Sequence, residues 1–169
     1  MIKIEKVTKR DIVKFEIVRA IAQETWPITY GAILSSNQLE YMFDMMYSTK
    51  SLLEQAAMKN LQFILIKVEN KYLGFASYEI DCMGTNKTKV HKIYVVPSAQ
   101  GNGIGKQLID FIALESQKQH EIAIVLNVNK FNKAIHFYTK IGFTKVKEEV
   151  IAIGHGYVMD DYVMERMLS

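Results

Sequence analysis

Residues 90–112 read Val90-His91-Lys92-Ile93-Tyr94-Val95-Val96-Pro97-Ser98-Ala99-Gln100-Gly101-Asn102-Gly103-Ile104-Gly105-Lys106-Gln107-Leu108-Ile109-Asp110-Phe111-Ile112, and this stretch decides the fold. Its opening, rich in β-branched residues and closed by Pro97, reads as a strand over residues 90–96. Ile104, Leu108, Phe111 and Ile112 follow at i, i+4, i+7 and i+8, the stripe of an amphipathic helix. Between them, Gln100, Gly101, Asn102, Gly103, Ile104, Gly105 and Lys106 form a glycine-rich turn. Glycine admits positive φ and carries no Cβ to hold an anion away. Successive N–H groups and the positive end of the helix can therefore cradle phosphate, with Lys106 adding a charge. A plain flexible loop is the competing reading, and the strand before and helix after favour phosphate. Gly105-Lys106 is followed by Gln107 rather than Ser or Thr, so this is no P-loop. The spacing G-x-G-x-G, deep in the chain, also differs from the dinucleotide fingerprint.

Upstream, residues 1–7 alternate charged and apolar side chains and read as a strand, unlike the apolar block of a signal peptide. Thr8 then caps a helix with Ile12, Phe15, Val18 and Ala22 on one face, ending near Pro27. A second helix starts after Ser35 or Ser36 and carries Leu39, Met42, Phe43 and Met46. Ser51 and Glu54 have capping-box spacing ahead of Leu52, Leu53, Ala56 and Ala57. Residues 63–68 and 72–80 form a hairpin turning at residues 69–71, followed by a polar loop over residues 81–88. Downstream, residues 122–128 read as a buried strand. A helix with Ala134, Phe137, Tyr138 and Ile141 ends at Gly142. Residues 143–152 and 157–167 close the chain as a hairpin around Gly154-His155-Gly156. These elements predict one α/β (α+β) domain over residues 1–169, with a largely antiparallel sheet flanked by helices.

Composition narrows the function classes. The chain has 169 residues, 49% of them hydrophobic and 23% charged, enough to fold throughout around one core. No apolar run approaches the ~18 residues that span a bilayer, so no membrane partner is expected. Cys82 is the single cysteine, which rules out an internal disulfide and points to a reducing, cytoplasmic setting. No Cys/His cluster has metal-ligand spacing, so no metal is expected. The net charge of +3 comes from lysines spread along the chain, which argues against nucleic acid and helps to attract an anionic cofactor.

Ile93-Tyr94-Val95-Val96-Pro97 followed by Gln100-x-x-Gly103-x-Gly105 resembles the central acetyl-CoA motif of the GNAT superfamily of N-acetyltransferases. A second segment, Asn132-Lys133-Ala134-Ile135-His136-Phe137-Tyr138-Thr139-Lys140-Ile141-Gly142-Phe143, is similar to that family's Asn, Ala-Ile, Tyr, Gly-Phe segment in order and separation. Asp160 to Arg166 also looks like a family final strand. The resemblance runs from about Phe63 to the C-terminus and is only general before it.

The resemblance implies the GNAT fold, with a splayed strand at Ile93, Tyr94 and Val95 whose backbone pairs with the pantetheine arm of acetyl-CoA. It implies pyrophosphate binding by Gly101, Asn102, Gly103, Ile104, Gly105 and Lys106. It assigns Asn132 to the cofactor arm and Tyr138 to protonation of the departing thiolate. Taken alone, Tyr138 reads as a core aromatic and Asn132 as an N-cap. The family reaction is direct attack by an amine in a ternary complex, so Cys82 need not be a nucleophile. Positioning and a backbone N–H near Val95 supply much of the acceleration. An alkylammonium with a pKa of about 10 must still lose a proton, and Glu79 and His91 are the candidate bases. Neither is fixed by a motif.

The acceptor pocket is expected near residues 24–31, where Glu24, Trp26 and Tyr30 could hold a cationic chain, or where Trp26 simply plugs a helix corner. The segment resembles polyamine acetyltransferases of the same superfamily. The expected function is acetyl transfer to a small-molecule primary amine, a polyamine among the candidates. Acetylation of a protein N-terminus or lysine, and a non-catalytic acyl-CoA sensor, stand as alternatives. An exposed final strand offers an edge for a homodimer.

Overall fold

A computed structural model of the chain describes residues 1–169 and contains seven strands. They are β1 Ile2–Val7, β2 Leu61–Val68, β3 Lys71–Glu79, β4 Lys87–Val95, β5 Ala123–Asn129, β6 Thr144–Gly154 and β7 Tyr157–Met167. Five α-helices accompany them: α1 Ile12–Tyr30, α2 Ser36–Tyr47, α3 Thr49–Ala57, α4 Ile104–Lys118 and α5 Ala134–Lys140. The strands form one sheet ordered β1-β2-β3-β4-β5-β7-β6. Every neighbouring pair is antiparallel except β4–β5, which α4 joins as a parallel crossover. No helix is long and apolar enough to cross a membrane.

Local chemistry moves several boundaries. Asp11, not Thr8, caps α1, its carboxylate accepting the Lys14 N–H at 3.1 Å, while the Thr8 carbonyl accepts the Asp11 N–H. The helix also runs through Pro27 to Tyr30 instead of stopping there. Proline removes one N–H donor, but Trp26 and Tyr30 pack at 4.8 Å between ring centroids and hold the last turn. Ser35 caps α2 as its spacing predicts. The cap of α3 is Ser48, one turn before Ser51, because the Ser48 hydroxyl accepts the Ser51 N–H and the Ser51 hydroxyl accepts from Gln55. Strand β4 begins at Lys87, earlier than periodicity suggests, where Lys87 and Thr88 pair with Ala123 and Ile124.

The final strand is not an edge. β7 lies between β5 and β6, so β6 borders the sheet and the final strand offers no open side to a second copy. β6 carries Lys145, Lys147, Glu148 and Glu149, charges that discourage edge-to-edge pairing.

The helices α1 and α2 cover one face of the sheet. Phe15 meets Phe63 edge-on at 5.2 Å, Tyr47 lies 6.2 Å from Phe75 and Trp26 lies 6.1 Å from Tyr94. The α4 helix packs across β3, β4 and β5 from the other side. A core cluster of 31 buried residues runs through both layers.

One irregularity sets up the site. Ser77 pairs with Lys92 but Tyr78 pairs with Val90, which leaves His91 as an extra residue, a bulge, on β4. Pairing of β4 with β5 ends at Val90 and Leu126, whereas β4 stays on β3 through Val95 and β5 stays on β7 through Asn129. The sheet therefore opens between residues 93–95 and residues 127–129. The Val96 N–H bonds the Leu73 carbonyl, so by strand alternation Tyr94 bonds toward β3 while the N–H and C=O of Ile93 and the N–H of Val95 face the opening, the Val95 C=O being taken by the Gln100 side chain.

Gly74 permits this close β3–β4 approach, since a Cβ there would lie 2.7 Å from the Tyr94 carbonyl oxygen. Backbone cannot swing aside as a side chain can. Gly74→Ala should lose about 1–3 kcal/mol in urea denaturation.

Candidate functional site

The turn before α4 is shaped by its glycines. Gly101 and Gly103 have φ of 81° and 76°, and a Cβ on either would meet nothing within 4 Å. Backbone conformation, not crowding, requires glycine at these two positions, and the space above the turn is open. Gly103 caps α4 without a side chain, which leaves first-turn N–H groups facing that space. Gly105 has a different reason: a Cβ would lie 3.2 Å from the Phe137 ring, so its absence lets α4 approach α5. Gln100 donates to the Val95 carbonyl at 3.1 Å and ties the turn to the end of β4. Ile104 is buried beneath, Asn102 is exposed, and Lys106 lies along α4 in a 2.6 Å pair with Asp110. A row of helix-start donors beside an unpaired strand edge suits a ligand with phosphates at one end and amides in its arm.

At the mouth of the opening lies a cluster of phenols. The Tyr30 and Tyr94 hydroxyls are 3.0 Å apart. Tyr138, 8% exposed, packs against Phe137 and Phe143 at 5.2 and 5.8 Å. Burial pushes the Tyr138 phenol well up, and the nearby Tyr30 adds to this, so it keeps its proton through neutral pH. Asn132 accepts the Ala134 N–H at 2.8 Å, as a cap would, and its amide also lies beside Tyr30.

On the α1–α2 side of the opening is a cavity of about 330 Å³. Trp26, Tyr30, Tyr47 and Tyr94 form its aromatic wall. Trp26 and Tyr30 are thus brought to one pocket, whereas Glu24 is exposed on α1 and does not line it. Glu79 and His91 prove to be one unit, with His91 Nε2 and Glu79 Oε2 2.7 Å apart. Burial chiefly lowers the His91 pKa, with Lys89 and Lys92 adding to that and the Glu79 bond opposing it. Cys82 Sγ lies 3.5 Å from the same Glu79 oxygen, and burial followed by the Glu79 charge pushes its thiol up, which leaves it a poor nucleophile. Donor atoms of Glu79, Cys82 and His91 lie within 4.8 Å of one another, a grouping that linear spacing did not predict because the bulge and a strand-end turn create it.

Two polar residues of the cavity escape a motif search. Asp161 is 1% exposed, and its Oδ2 is fully buried without a hydrogen-bond partner. Lys92 donates to Gln55 Oε1 at 2.5 Å and has no carboxylate partner; burial lowers its pKa to about 8. A signal for each existed in the sequence. Adjacent Asp160 and Asp161 in an apolar alternating strand force one acid inward, and Lys92 shares the inward alternation of Tyr94.

Comparisons with known proteins agree with this geometry. The model of a family described as the acetyltransferase (GNAT) domain matches residues 32–162. An uncharacterised N-acetyltransferase from the pepI 3′ region of Lactobacillus delbrueckii subsp. lactis is 25% identical over 173 residues, covering 99% of this chain and 98% of that one. Spermidine N(1)-acetyltransferase of Thermoplasma acidophilum is 26% identical over 143 residues, covering 82% and 87%. The crystal structure of the PaiA N-acetyltransferase of T. acidophilum in complex with coenzyme A has a TM-score of 0.81 at 24% identity, with 99% of each chain covered.

Lys92 makes a pH dependence testable. Its folded pKa of about 8 lies below the ordinary 10.5, so between these values the unfolded chain holds more protons and stability rises with pH. Lys92→Met should abolish that rise and stabilise the protein at neutral pH by on the order of 1–3 kcal/mol, measured by urea denaturation at neutral and alkaline pH.

Proposed function

The chain belongs to the GNAT acetyltransferase family, and from that membership we propose that it moves acetyl from acetyl-CoA onto a primary amine of a small molecule, a polyamine being the favoured acceptor, with residues 1–169 acting as one catalytic domain. The observation that carries this reading is the gap between β4 and β5, which joins the glycine-rich turn to an aromatic cavity at one point. A donor arm and an acceptor amine can meet there without an acyl-enzyme.

The residues present suit acetyl-CoA. The open space over Gly101 and Gly103 and the N–H groups at the start of α4 would take its pyrophosphate. The Ile93 N–H and C=O would pair with the amides of its arm as a missing strand does. Bound acetyl-CoA supplies an activated thioester. The Val95 N–H, free of β5, would hold the carbonyl oxygen as negative charge develops, and Tyr138 would protonate the sulfur as it leaves. Tyr30 and Asn132 keep that end of the opening polar, and Gln100 steadies the strand end.

The acceptor side favours a small molecule. A cavity of about 330 Å³ is at the small end for ligand sites, a size that suits a small amine. Its aromatic wall would suit an alkyl chain bearing cationic nitrogens, and the likeness to a spermidine acetyltransferase lends weight to a polyamine.

Thiol release from acetyl-CoA with a panel of polyamines, monoamines, amino acids, aminoglycosides and peptides tests the reading. Turnover with polyamines is expected. Tyr138→Phe should lower kcat by about 10²-fold or more while leaving the KM for acetyl-CoA within about threefold. Turnover with peptides alone would move the protein to the protein acetyltransferases, and cofactor binding without turnover would make it a sensor.

A further inference from the structure

An ionisable carboxylate almost wholly removed from water and left with an unpaired oxygen carries a large desolvation cost. Asp161 is such a group. It is 1% exposed, its Oδ2 has no partner, and it lines the cavity. Its strand position places it at the mouth. Asp161 pairs in register with Asn129, at the end of the β5 segment that has parted from β4. Its charge also raises the pKa of Tyr30, whose hydroxyl bonds that of Tyr94, and Tyr30 in turn acts on Tyr138. The carboxylate therefore belongs to the electrostatic cluster that surrounds the opening.

The geometry points to Asp161 as the group that receives the acceptor's ammonium in the cavity and takes a proton from it, freeing the lone pair with which the nitrogen then attacks. This rests on the acetyl-transfer reading above. The steps balance: one N–H proton of the ammonium passes to the Asp161 carboxylate, the freed nitrogen lone pair forms the N–C bond to the acetyl carbon, and the C–S bond breaks with its electron pair going to sulfur. The sulfur takes the Tyr138 proton, and the second proton shed by the nitrogen returns through solvent to the Tyr138 phenolate.

The neighbours fit that role. Burial raises the Asp161 pKa, with Asp160 and Glu149 adding to it, while Asn127 and Lys89 oppose it. Glu149 stands directly opposite on β6, outside the cavity, with its carboxylate held by Lys147 and Asn127, so Asp161 is the acid that the cavity itself presents. Lys89 on β4 lines the cavity and comes near Asp161. Lys92 lines the cavity from β4 and turns its ammonium toward Gln55 on α3. These lysines disfavour a second ammonium near them and so help the acceptor give up its proton. His91 also lines the cavity, four residues from Val95 along the strand and with its Nε2 bonded to Glu79, and is the competing base that the test separates from Asp161.

The test compares wild type, Asp161→Asn and His91→Gln across pH with an amine found active in wild type and with a monoamine of similar length. Asp161→Asn should lose about 10²-fold or more in kcat/KM near neutrality. Its log kcat/KM should then climb with roughly unit slope toward the amine pKa, because solution must now supply free amine, whereas wild type levels off. Asp161→Ala should regain part of its rate with added formate, which gives a second reading if the asparagine variant does not fold. Unchanged kcat/KM in Asp161→Asn would overturn the inference. So would a loss confined to KM for diamines and constant with pH, which would make Asp161 a distant anchor, or the unit slope appearing in His91→Gln instead. Wild-type turnover with an indifferent Asp161→Asn would sink this inference alone; no wild-type turnover with any amine would sink it together with the proposed function.

Discussion

Strands β4 and β5 share a register only over residues 87–90, and the parting beyond Val90 is the constraint on which the rest depends. An unpaired strand edge inside a sheet is costly, because its N–H and C=O groups lose both protein and bulk-water partners. The parting begins where His91 inserts an extra residue into β4, the kind of irregularity that bends a strand. The liberated groups of Ile93 and Val95 then face a ligand-sized gap. A defect in the sheet becomes a backbone-lined binding edge that needs no particular side chain.

Polar groups without partners accumulate on one side of that gap. Trp26 Nε1, Tyr47 Oη and Asp161 Oδ2 are all buried without a hydrogen-bond partner, on residues that line the cavity. Isolated cases would be small costs to stability; three around one cavity mark a place shaped for something polar to enter. The ammonium of Lys92, held by a side-chain carbonyl and the faces of Tyr47 and Phe63 with no carboxylate, adds to the same picture. Such a site is bought with stability.

Much of this was legible in the sequence. Pro97, the three glycines and the stripe from Ile104 to Ile112 announced the strand, turn and helix, because local sterics dictate them. Trp26 and Tyr30 came together as expected, since both lie on the inward stripe of α1. Glu24 did not, because it falls on the outer side of the same helix. The pairing of Glu79 with His91 was hidden, since it depends on a bulge that has no sequence mark. Asp161 was passed over for another reason: its role depends on β7 entering between β5 and β6, and strand order is a long-range property that periodicity does not carry.

The contact between Gly105 and Phe137 has a consequence for how such a protein can diverge. Phe137 is the immediate neighbour of Tyr138, and its ring fills the space a side chain at position 105 would need. The turn that seats the phosphates and the helix that presents the phenol are thus registered against each other by one interlocking pair. Drift at either position is felt at the other: a methyl group gained at 105 would stand 3.2 Å from the ring, so the ring at 137, and with it the helix that carries the phenol, must give by a few tenths of an ångström.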